Sequence, residues 1–183
     1  TKQEDFIEHL FVASTHAHML FFTNRGRVYW LKVFEVPDLA RSARGKAVVN
    51  LLQLGPGERV QALLPVRNFD EGGHVLLCTR KGVVKKTSLD AYSNPRRAGI
   101  IALGLDEDDE LIAARRTNGS QEVVLVTAGG LSIRFPEAQV RPMGRQAGGV
   151  KGIELDAGDS VVGMEVLAPD ATILTACANG YGK

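Results

Sequence analysis

The chain has little of what most catalytic and ligand sites are made from. Aromatic residues make up 6% of its 183 positions, with one Trp and three Tyr. Proteins that hold single-stranded nucleic acid stack bases on aromatic side chains in series, and that mode is not suggested here. The two cysteines, Cys78 and Cys177, stand on apolar runs without the spaced partners of a metal site. Both read as small buried hydrophobes. No apolar run exceeds strand length, which excludes a membrane-spanning helix or a secretory leader in this sequence. A soluble, reducing compartment is the expectation.

Catalytic signatures are equally thin. No Ser or Cys nucleophile has a paired base, and no phosphate-binding glycine loop precedes a helix. Nothing marks Tyr29, Tyr92 or Tyr181 as a nucleophile, and no helix is built to enter a major groove. His16-Ala17-His18 on a strand would place both imidazoles on one face, but no third ligand has a sensible spacing. The pair reads as an incidental surface feature. Asp106–Glu110 lacks the alternation and glycine of a calcium loop, and reads as a solvated turn.

What the sequence does have is a repeated hairpin. His18–Gly26, His74–Gly82 and Glu122–Gly130 each run through an apolar strand to a turn glycine, and Thr172–Gly180 begins a fourth. The turn glycines stand 56, 48 and 50 residues apart, a period that marks a repeat architecture. Each repeat reads as four short strands, rich in β-branched and aromatic residues. The first gives Met19–Thr23, Val28–Phe34, Ala47–Leu52 and Arg59–Val66. The second gives Val75–Thr79, Val83–Thr87, Ile100–Leu105 and Glu110–Arg115. The third gives Val123–Thr127, Leu131–Phe135, Val150–Leu155 and Ser160–Leu167. An acidic or glycine turn precedes each fourth strand. Four-strand units of this length are propeller-like blades. The expected fold is all-β, with repeats over 18–70, 74–118 and 122–168. Partial blades are expected at 1–17, where Glu4–Val12 resembles a fourth strand, and at 171–183. Both ends then cut through repeats, as in an excerpt of a longer array.

The net charge of +1 hides a pattern. Segments 25–46, 80–97 and 130–151 carry 16 of the 22 Lys and Arg but 4 of the 21 Asp and Glu. The basic residues are Arg25, Arg27, Lys32, Arg41, Arg44 and Lys46 in the first repeat. The second has Arg80, Lys81, Lys85, Lys86, Arg96 and Arg97, and the third Arg134, Arg141, Arg145 and Lys151. A basic zone at the same point of each unit suits a polyanion, with Arg and Lys neutralising phosphates. Glycines recur among them and either bring backbone N–H groups to a phosphate or turn a tight loop between blades. With few aromatics, the mode is backbone contact with duplex, indifferent to base sequence.

Phe22–Val33 followed by Ala43–Leu52 closely resembles the C-terminal domain family of the bacterial DNA gyrase A subunit. The likeness continues through Gly82–Thr87, Arg141–Gly144, Gly149–Ile153 and Ala178–Lys183, covering essentially the whole chain. The resemblance implies a β-pinwheel, a propeller-like disc whose blades exchange strands. It implies wrapping of duplex DNA on a basic rim, on which the sixteen cations above are candidate contacts. It also implies two protein partners, the rest of the gyrase A subunit, and the gyrase B subunit. These belong to an ATP-dependent type IIA topoisomerase of the bacterial cytoplasm and nucleoid that introduces negative supercoils. No membrane partner is implied. Catalytic residues and cofactors are not expected in this part, since the family's tyrosine, ATP and Mg sites lie elsewhere. The family's Gln-Arg-Arg-Gly-Gly-Lys-Gly box has only a degenerate echo at Arg145–Gly152, and the expected copy falls before Thr1. The alternatives are the related domain of topoisomerase IV and a protein-interaction propeller.

Overall fold

A computed structural model describes residue 10 and residues 12–39 and 45–183. Among the described residues there is no α-helix, and no helix long and apolar enough to cross a membrane. The strands are β1 (His18–Thr23), β2 (Arg27–Lys32), β3 (Val60–Val66), β4 (His74–Thr79), β5 (Val83–Ser88) and β6 (Ile100–Ile101). They continue with β7 (Leu111–Thr117), β8 (Glu122–Thr127), β9 (Ser132–Pro136), β10 (Val150–Lys151) and β11 (Val161–Leu167).

These form three antiparallel sheets ordered β3-β1-β2-β6, β7-β4-β5-β10 and β11-β8-β9. The first, second and fourth strands of each repeat lie in one blade, as expected. The third does not. Ile100 and Ile101 pair with Val28 and Arg27 of the preceding blade, and Val150 and Lys151 pair with Val84 and Val83. This exchange of strands is the pinwheel arrangement that the resemblance implied. It corrects the reading of four successive strands per blade and shortens the third strand to two residues. Ala47–Leu52, expected as a strand, instead contains a 3-10 turn at Val48–Asn50. No earlier second strand stands among the described residues for it to join. The proposed strand Glu4–Val12 lies almost wholly outside the described residues, and Leu10 and Val12 are not in a strand.

Docking of the exchanged strand explains two of the turn glycines, Gly26 and Gly82. Gly26 has φ +66° and its carbonyl accepts from the N–H groups of Ala102 (2.8 Å) and Leu103 (3.0 Å). A Cβ there would lie 2.6 Å from the Leu103 carbonyl oxygen, so the position requires glycine for both conformation and space. At Gly82 the same role falls to Gly152, whose N–H donates to the Gly82 carbonyl at 2.8 Å.

Strand alternation sends side chains into the seams between blades. Leu20, Phe22, Val28 and Leu64 meet Val75, Leu77, Leu89 and Tyr92 between blades one and two. Leu76, Cys78 and Val84 meet Val123, Leu125 and Met164 between blades two and three. The other face of blade one, with Met19, Phe21 and Tyr29, is covered by Val48, Leu51, Leu52 and Leu54. Cys78 is buried as expected, but Cys177 is exposed, because residues 171–183 form only a bridged turn at the surface. The fourth strands β3, β7 and β11 pack on one another in succession and form the inner side. The exchanged strands at the opposite sheet edges are therefore outermost.

Candidate nucleic-acid interface

Because the exchanged strands are outermost, the segments leading to them cross from blade to blade on the outside. Residues 93–99 and 140–149 are these crossovers, and they hold Arg96, Arg97, Arg141 and Arg145. Arg96, Arg97 and Arg141 are exposed and Arg145 is half-buried. Among the described residues none of the four makes an ion pair, and neither do Arg25, Arg27, Lys32 or Lys46. Several cations elsewhere are answered by acids, though Arg67, just past β3, has no acidic partner among the described residues. On or beside the inner strands Arg115 pairs with Glu165 (2.5 Å), Arg116 with Glu71 (2.9 Å) and Arg59 with Glu110 (3.6 Å). At the hairpin turns Arg80 pairs with Glu110 (2.8 Å), and Lys81 pairs with Asp108. The unanswered positive charge therefore concentrates outside.

The remaining candidates separate by environment. Arg25 donates from Nη2 to the Pro56 carbonyl (2.6 Å) on the hairpin-turn side. Arg27 donates from Nη2 to the Ala98 carbonyl (2.6 Å), pinning a crossover to blade one. Lys32 is half-buried and Lys46 exposed. Arg134 and Lys151 are exposed but paired with Glu122 (2.9 Å) and Glu154 (2.7 Å). Arg41 and Arg44 lie outside the described residues. Lys85 and Lys86 are a correction, because both are buried in β5 with their ammonium groups turned inward. Lys86 donates to the Glu137 carbonyl oxygen at 2.8 Å and stands 3.9 Å from that residue's carboxylate. Lys85 donates to the carbonyls of Ala102 (2.5 Å) and Arg145. Neither presents its charge to a phosphate. Burial, with the nearby Arg145 guanidinium adding to it, pushes the Lys85 pKa down to about 8.

Several residues that the sequence reading passed over hold the crossovers in place. Glu58 is buried, where it accepts from Thr23 Oγ1 (2.6 Å), Tyr29 Oη (2.9 Å) and the Gly55 N–H (2.8 Å). The Tyr29 ring lies against Gly99, where a Cβ would come within 2.7 Å of it. Trp30 Nε1 donates to the Tyr92 carbonyl at 2.9 Å, tying blade one to the start of the next crossover. The signal for Glu58 was its place immediately before the fourth strand, shared with Asp109 and Asp159. Asp109 accepts from the Lys81 N–H (3.0 Å) and Asp159 from the Gly129 N–H (2.8 Å). Asp109 is itself buried, so the acidic turn is only partly solvated. Hydrogen bonding, that with Thr127 first, holds the Asp159 carboxyl below its ordinary range. Among the described residues no cluster of three His, Cys, Asp or Glu side chains is placed to hold a metal.

The profile of the family described as "DNA gyrase C-terminal domain, beta-propeller" matches residues 17–67, 73–118 and 121–168. The chain belongs to this family. The DNA gyrase A subunit of Salmonella typhimurium is 50% identical over the whole chain, and that of Klebsiella oxytoca 52%. The DNA gyrase A subunit of Chlamydia muridarum is 48% identical over the same span. The chain spans about a fifth of the length of these relatives (21%, 21% and 22%). A solved C-terminal domain of DNA topoisomerase IV superposes with a TM-score of 0.84 at 32% identity, over 92% of this chain and 53% of its own. A solved DNA gyrase A C-terminal domain superposes with a TM-score of 0.78 at 23% identity, over 93% and 54%. The gyrase C-terminal family thus accounts for both the blades and their exchanged strands.

Proposed function

We propose that this domain binds duplex DNA without regard to base sequence, along the crossover segments, and bends it around the outer side of the blades. The observation that carries the reading is the set of exposed arginines on the crossovers, Arg96, Arg97 and Arg141, that no acid answers among the described residues. Arg96 and Arg97 lie on one crossover and Arg141 and Arg145 on the next, so in this reading a duplex that follows successive crossovers around the blades is curved. Smooth bending of a short site costs on the order of 1–6 kcal/mol. Several phosphate contacts offset that at moderate salt through counterion release. In this reading the domain serves a gyrase A subunit, which works with the gyrase B subunit in ATP-dependent negative supercoiling in the bacterial cytoplasm. The chemistry and cofactors then belong to other parts of that assembly. The likeness to the topoisomerase IV domain supports a second reading, in which the same bending serves decatenation.

The test is a salt titration of duplex affinity between about 50 and 200 mM, using the intact A subunit, with and without Arg96→Gln, Arg97→Gln and Arg141→Gln combined. The log–log slope should flatten by about one per arginine removed. An unchanged slope would remove these crossovers from the interface.

A further inference from the structure

We propose that Lys85 is a positioning residue for the rim, its buried ammonium tying the end of the strand lent to blade one to the crossover 140–149 and so fixing where Arg145 stands. The inference rests on the duplex-binding reading above and deepens it. The Lys85 side chain has no exposed surface, and its Nζ donates to two main-chain carbonyls that belong to different repeats. One is Ala102, just past the strand lent to blade one, at 2.5 Å. The other is Arg145, in the segment leading to the strand lent to blade two. The two segments touch beside it, where the Gly104 N–H donates to the Ala147 carbonyl at 3.1 Å. A Cβ on Gly104 would lie 2.8 Å from the Gln146 carbonyl oxygen, so nothing but glycine lets them approach this closely.

An ammonium is an expensive way to fill an interior site, and an apolar chain of the same length would fill it at less cost. Among the described residues no carboxylate pairs with Lys85, and the charged group facing it is the Arg145 guanidinium, which repels it. What an ammonium supplies that an apolar chain does not is three donors on a long stem, enough to bind two carbonyls together. Tyr29 occupies the equivalent place in blade one and packs against the crossover at Gly99. This position of the second strand therefore holds a crossover in both blades that receive one.

The experiment is a double-mutant cycle in the intact A subunit, with Lys85→Met, Arg145→Gln and the pair, read by duplex affinity and by amide exchange. Each single substitution should weaken duplex binding several-fold, and the double should be no weaker than either, because Lys85 acts through Arg145. In Lys85→Met the Gly104 amide should exchange at least about tenfold faster, while the Gly152 amide, bonded to Gly82, keeps its protection. Lys85→Arg, which keeps charge and donors, should restore both. Where Lys85→Met does not accumulate folded, Lys85→Gln carries the same expectations, since it cannot reach both carbonyls. Additive losses in affinity, or unchanged exchange at Gly104, would overturn the assignment. If the unsubstituted protein shows no salt-dependent duplex affinity, the binding reading fails, and the exchange measurement still decides whether Lys85 ties the two segments.

Discussion

At the scale of single residues, two adjacent lysines show how little a side chain's formal charge says about its place. Lys85 and Lys86 project to opposite sides of β5, and both are buried because that strand is flanked by a blade on each side. For Lys85 the cost has a measurable sign. Its pKa is near 10.5 in an unfolded chain and about 8 in the fold, so between those values the unfolded chain holds more protons. Stability supplied through this group therefore rises as pH climbs through 8. Urea unfolding at pH 7 and pH 9.5 should show the unsubstituted protein gaining on Lys85→Met, and an equal pH response of the two would contradict the burial of the charge. Sequence pattern alone did not reveal this. Val83-Val84-Lys85-Lys86-Thr87 reads as a strand with a basic surface, and the carbonyls that satisfy its charges come from residues 102, 137 and 145.

Among elements, the turn glycines separate those that receive a neighbour's strand from those that do not. Gly26 and Gly130 both have positive φ, but a Cβ at Gly26 meets the Leu103 carbonyl while one at Gly130 meets nothing within 4 Å. Gly130→Ala should cost about 1 kcal/mol for backbone conformation alone, and Gly26→Ala roughly 2–3 kcal/mol more. Chemical denaturation of the two variants checks the difference, and equal losses would deny that the strand docks at the glycine. The first, second and fourth strands were legible in sequence because five to seven successive apolar-rich residues leave a local record. The third strand was not legible to its full meaning. It is two residues long, its partner lies in the preceding repeat, and no local periodicity encodes that pairing. The 3-10 turn at Val48–Asn50 was missed for the same reason, since its apolar residues suit a strand wherever a partner exists.

For the molecule as a whole, the informative quantity is where charges remain unanswered. Basic stretches 25–46, 80–97 and 130–151 were legible as such, and the crossovers within the last two do lie on the outer side. What sequence did not separate is the cation that faces out from the one that stitches blades together. If the outward group guides a bent duplex around consecutive blades, nicked circular DNA sealed in the presence of the intact protein should retain a shifted linking number. The shift should shrink when Arg96, Arg97 and Arg141 become Gln. A full shift without these arginines would place the guiding surface elsewhere.

Strand lending also sets an order in time as the chain is made. Blade one holds its first, second and fourth strands by Val66, yet its outer edge stays open until Ile100 and Ile101 have left the ribosome. Through that interval the N–H and C=O groups along β2 are free to pair with the wrong strand, which is when aggregation is easiest. The same wait recurs for blade two until Val150 and Lys151 appear. Blades one and two are thus each finished by their successor, and a ribosome pausing between residues 66 and 100 would leave the edge of blade one open for longest.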